Sequence, residues 1–185
     1  DFSVSVIMKI RTGEIVADIL DNLLSPEQLA MHTVKMLEYF NRPLWYIEDN
    51  DWGSVTILSA QSLNYSRLGY QDVKKTKPGW HTGDGNRNKL WGSLIPAVNN
   101  RQITIYNVNG LKQLYDVIRN AEKGGRIEAL GNRHDDYPMA LAIAWYNKDE
   151  VETGMGAGEA KVYDPREKVE LVTADAAYVR DYRRT

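Results

Sequence analysis

The chain has 185 residues, 43% hydrophobic and 26% charged, with 23 Lys and Arg against 25 Asp and Glu and no cysteine. That is enough apolar sequence for one core without staples, at an ordinary charge density that excludes wholesale disorder. Disulfides, thiolate metal sites and a cysteine nucleophile are ruled out, no apolar run approaches the roughly 20 residues that span a bilayer, and a net charge of −2 gives no overall basic footprint for nucleic acid.

The expectation is a soluble intracellular protein. Asp1-Phe2-Ser3-Val4-Ser5-Val6-Ile7-Met8-Lys9-Ile10 alternates and is β-branched, which predicts a strand from the first residues. Arg11 to Glu14 is a turn, and Ile15-Val16-Ala17-Asp18-Ile19-Leu20 a second strand, so the pair reads as an antiparallel hairpin. A sequence that opens directly in a strand leads us to expect residues ahead of Asp1. Ser25-Pro26-Glu27-Gln28 carries a capping Ser, a Pro at the first helical position and a Gln three residues after the cap, and so starts a helix that Asn41-Arg42-Pro43 stops. Leu44-Trp45-Tyr46-Ile47 is a short continuous apolar run, the pattern of a central strand buried on both faces. A helix is expected over 52–60 and a weaker strand over 67–73.

Residues 74–85 read as a long polar loop whose length suggests function. Residues 88–98 look helical until Pro96, 102–106 form a strand, and 110–120 a helix with Leu111, Leu114, Tyr115 and Ile118 on one face. A short strand or irregular segment over 126–130 and a helix over 137–146 complete a core spanning 1–146, with 147–185 a C-terminal extension. Pro138 is tolerable because it lies in the first turn of its helix. An opening hairpin followed by alternating helices and strands indicates an α/β sheet of mixed direction with helices on its faces.

Two acidic clusters lie at the edges of buried elements. Glu48-Asp49-Asn50-Asp51 follows the most apolar strand, and ligands in open α/β sheets bind beyond such strand ends; the plainer reading is that Asn50 or Asp51 caps the next helix. His134-Asp135-Asp136 leads into a helix that is apolar nearly all round. The helix dipole favours two carboxylates there, but a buried helix start is costly for them unless a cation compensates. Oxygen donors without thiolates point to a hard cation, Mg²⁺ or Mn²⁺, and carboxylates from separate elements suit two-metal phosphoester hydrolysis.

The spacing Glu48-x-Asn50-x-x-Gly53, with His134-Asp135-Asp136-x-x-Met139-Ala140 later, resembles the nuclease domain of the large terminase subunit of tailed bacteriophages. Asp1-Phe2-Ser3-Val4 is similar to that family's D-(Y/F)-S-V strand start, residues 12–17 to its hairpin, and Gly79-Trp80-His81-Thr82 with Asn88-Lys89 to its G-(W/F)-x-T…K segment. These motifs occur in order from Asp1 to about Trp145. The resemblance implies an RNase H-like mixed central sheet flanked by helices on both faces. It implies a Mg²⁺- or Mn²⁺-dependent endonuclease with two ions, cutting double-stranded viral DNA during genome packaging in the host cytoplasm. Its partners would be an N-terminal ATPase domain, the portal and the small terminase subunit.

Carried over, Glu48 and Asp136 would be metal ligands, Asp135 a ligand or its supporter, and Asp1 a secondary acidic residue. The family's principal first-strand Asp, on a central strand, would lie upstream of Asp1. Water would attack the phosphodiester in line. Lys89 would contact the scissile phosphate, His134 would orient Asp136 or a water, and Asn50 would shape the turn. Lys74, Lys75, Lys77, Arg87 and Lys89, interleaved with Trp80 and His81, are the expected DNA path. The alternatives are another RNase H-like nuclease, such as a junction resolvase or an RNase H, and a catalytically silent module docking DNA or portal.

Overall fold

The opening hairpin forms as its alternation demands. The computed structural model describes residues 1–71, 77–149 and 180–181. Strand β1 (Ser3–Lys9) pairs antiparallel with β2 (Glu14–Asp21). Ile7 faces Ala17 while Met8 faces Ile15, so Val16 is the extra residue of a bulge, which raises the local twist. Gly13 makes the turn at φ 67°, and its missing side chain leaves room for the Gln102 carbonyl.

Helix α1 (Pro26–Tyr39) begins with the full capping box: the Gln28 amide donates to Ser25 Oγ, and the Ser25 amide to Gln28 Oε1. It ends where Asn41 and Arg42 take positive φ. Ala30, Thr33, Val34, Met36 and Leu37 are its buried face, and α2 (Trp52–Ser62) packs against it. These two helices share an apolar cluster with Ile7, Ile19, Trp45, Ile47 and Tyr65. A second cluster gathers Val4, Val6, Met8, Tyr46, Trp80, Trp91 and Tyr137 with α3 (Asp84–Asn99) and α5 (Asp136–Tyr146). Alternate residues of β1, and of 45–47, thus serve opposite clusters, and the architecture is α/β.

Three expectations are corrected. Residues 44–47 do alternate between the two clusters, but no continuous ladder forms: Trp45 bridges Leu68, and Glu48 bridges Trp80, both parallel and isolated. Pro96 does not disturb α3, which runs on to Asn99 because Leu90, Trp91, Leu94 and Ala97 are all buried and packing outweighs one lost amide in the last turn. The helix expected over 110–120 is instead α4 (Val108–Tyr115), capped by Asn107, followed by β3 (Val117–Asn120). Ile118 therefore lies in a hairpin with β4 (Arg126–Ala129), closed by Gly124 and Gly125 at positive φ. Residues 102–106 touch the sheet through one bridge, Thr104 to Glu14. The two-residue strand β5 (Arg180–Asp181) pairs with β2. Most of the expected 147–185 extension lies outside the described residues. No helix among the described residues is long and apolar enough to cross a membrane.

A channel of about 370 Å³ runs between β1 and the 44–48 segment. Residues 1–8 line it on one side and 44–48 on the other; Pro26, Leu29 and Leu37 of α1 and Ala140, Ile143 and Ala144 of α5 complete its walls. Among the described residues, neither strand edge facing the channel has a ladder partner.

The start of α5 is held from two directions. Its Tyr137 amide donates to Gln113 Oε1 on α4, and its hydroxyl to Asp18 Oδ2 on β2, each at 2.8 Å and buried. Asn107 also donates to Asp18 Oδ1, and the Tyr137 ring lies where a side chain at Gly110 would stand. Tyr137→Phe removes this buried hydrogen bond to a carboxylate; urea denaturation is expected to show a loss of about 1–3 kcal/mol.

Candidate metal centre

Asp136 is the first residue of α5 and Asp135 its N-cap, although Asp135 makes no side-chain cap hydrogen bond. The anchored helix start turns Asp136 toward the beginning of β1, where the Phe2 amide donates to Asp136 Oδ2 at 3.0 Å. His134 Nδ1 lies 3.5 Å from Asp136 Oδ2 and 3.9 Å from Asp1 Oδ1, with the Phe2 ring edge-on to the imidazole. Asp1, His134 and Asp136 each offer a ligand atom, all within 4.8 Å of one another.

Glu48 approaches from the other side of the channel, which it lines with Asp1, Asn50 and Asp136. Asn50 donates its side-chain amide to Glu48 Oε1 at 2.9 Å, and its carbonyl accepts from Gly53. A side chain at Gly53 would stand 1.7 Å from the Glu48 carbonyl, so the E-x-N-x-x-G spacing is a folded unit that aims one carboxylate. Asn50 both shapes the turn and orients Glu48. Asp51 occupies the N-cap of α2 without capping it through its side chain, which leaves the plainer capping reading without its hydrogen bond.

Burial pushes the Glu48 carboxyl above its usual value of 4.5. Thr82, whose hydroxyl lies against it outside strict hydrogen-bond geometry, and the Arg87 guanidinium work the other way, while Asp136 and Asp135 add to the rise. Glu48 thus feels both aspartates, but it is not within the 4.8 Å set. The expected ligands Asp1, Glu48, Asp135 and Asp136 are therefore brought to one region without forming one shell. His134, expected to orient, joins the tightest set; Asp135 does not, because Arg87 donates to its Oδ2.

Of the seven residues expected along the DNA path, Lys77, Trp80 and Arg87 make other contacts. Lys77 pairs with Asp49 at 2.8 Å. Trp80 is 5% exposed and packs edge-on against Tyr146, so it offers no open face for stacking. Arg87 faces Asp135. Lys89 is exposed on α3, but two helical positions rotate it roughly 200° from Arg87, away from the carboxylates. His81 is exposed. Lys74 and Lys75 lie outside the described residues.

Asp18, Gln113 and Thr82 carried no sequence signal beyond their types. Two carboxylates and an imidazole, with a third carboxylate nearby, are a donor set for a divalent cation of the oxygen-preferring class.

The raised Glu48 proton affinity has two measurable results. The folded chain keeps this proton where the unfolded chain has lost it, so stability falls as pH rises from 4.5 to the raised folded value. Urea denaturation across pH 4–8 is expected to show Glu48→Gln gaining on the wild type through that window and holding its advantage above it. Mn²⁺ binding, followed by calorimetry, is expected to weaken on acidification before ordinary carboxylates titrate.

No protein-family model and no curated protein matches this chain.

Proposed function

We propose that the chain is a metal-dependent endonuclease of RNase H-like fold that cuts double-stranded DNA, and that it serves as the nuclease domain of a phage large terminase subunit. The observation that supports the chemistry is the meeting of Asp1, His134 and Asp136 beside Glu48, from the start of β1, the start of α5 and the end of the 44–48 segment. The order of these sequence motifs supports the family.

Asp1 and Asp136 would hold a divalent ion, Mg²⁺ or Mn²⁺, with His134 Nδ1 beside them and Glu48 serving a second. Bound ions would supply Lewis-acid polarisation of a phosphate oxygen and acidify a water. The chain's own residues set the rest. The Phe2 amide fixes Asp136 Oδ2 and leaves the second oxygen for a ligand. Asn50 turns Glu48 inward, where its raised proton affinity suits it to orient an attacking water and take its proton. DNA, an adjoining ATPase domain, the portal and the small terminase subunit follow as partners from the resemblance.

The channel supports the RNase H-like reading. That fold places a further strand in the middle of the sheet, and among the described residues the free edge of β1 faces the extended 44–48 segment across the channel.

Plasmid nicking with Mn²⁺ tests the activity. Glu48→Ala and Asp136→Ala are each expected to reduce cleavage by on the order of 100-fold or more; unchanged nicking in both would sink the metal-site reading. Linear duplex, four-way junction and RNA–DNA hybrid, compared as substrates, separate a packaging nuclease from a resolvase or an RNase H.

A further inference from the structure

Arg87 is the cation that faces the acidic cluster. It sits in the first turns of α3 with 17% of its side chain exposed. Three different contacts fix it: Nη2 donates to Asp135 Oδ2, Nε donates to the Ile127 carbonyl at 3.3 Å, and the guanidinium lies 5.8 Å from the centre of the Trp91 ring. A guanidinium held by a carboxylate, a carbonyl and a ring has a set position. It also acts beyond Asp135, since its field favours the charged form of Glu48. Of the other cations expected here that lie among the described residues, Lys77 pairs with Asp49 and Lys89 points across the helix. Among the described residues, Arg87 is the guanidinium paired with this group of carboxylates, Asp1, Glu48, Asp135 and Asp136.

Asp1 is 98% exposed, but Glu48, Asp135 and Asp136 are partly buried, and like charges gathered there repel unless something of opposite sign stays with them. We propose that Arg87 is the resident counterion of this centre: it holds Asp135 out of the ligand set, keeps the cluster assembled without a divalent ion, and limits how tightly such an ion binds. This inference rests on the metal-centre reading. Its consequence is a site tuned to bind divalent ions reversibly, with affinity set by a residue that is not itself a ligand.

The test is Mn²⁺ calorimetry and metal-free melting on the whole chain as wild type, Arg87→Gln, Arg87→Lys, Asp135→Asn and the Arg87→Gln/Asp135→Asn double variant. Arg87→Gln is expected to melt lower without metal and to bind Mn²⁺ more tightly, on the order of tenfold. Arg87→Lys keeps the charge and should stay near the wild type in affinity. Asp135→Asn should weaken Mn²⁺, because it leaves Arg87 uncompensated, and the double variant should return to near wild-type affinity. Wild-type binding with equal or weaker binding in Arg87→Gln overturns the counterion role alone. A double variant as weak as Asp135→Asn also overturns it, by making Asp135 a ligand. No Mn²⁺ binding in either the wild type or Arg87→Gln overturns the metal-centre reading together with it.

Discussion

The buried hydrogen bond from Tyr137 to Asp18 is the constraint on which the site hangs. It ties the first turn of α5 to the second strand of the hairpin, and the Gln113 contact at the same residue ties it to α4. Because Asp136 precedes Tyr137, the direction of its carboxylate follows from where that ring is pinned. The Phe2 amide then draws the start of β1 to the same carboxylate. A buried acid that accepts from Tyr137 and Asn107 is well satisfied, and here it is the post to which the start of α5 is fastened.

The site is also a balance of charge against burial. Glu48 is enclosed enough to hold its proton more tightly than usual, yet it stands near two aspartates and one arginine that pull in opposite directions. Such groups respond strongly to a change in their neighbours. The slight negative net charge of the whole chain says little about such a place, since a bound cation inverts the local sign.

Local signals were legible where one short stretch decides the outcome. The capping box of α1, the hairpin alternation and the glycine of the E-x-N-x-x-G turn each act within a few residues, and each is present. The sequence failed where distant partners decide. Arg87 and Lys77 look like a basic loop along the chain, but Asp135 and Asp49 claim them in space. Trp80 looks like a stacking ring and is core. Periodicity carried α4 too far because Val117 and Ile118 fit a helical face as well as a strand, and only pairing with β4 distinguishes the two.

The channel beside β1 has a consequence for self-association. An open strand edge is ordinarily a template on which another chain's sheet can grow. Here the edge is recessed between α1 and α5, so a broad sheet approaching from outside meets helices first. Among the described residues, these helices thus shelter the edge from sheet-on-sheet growth.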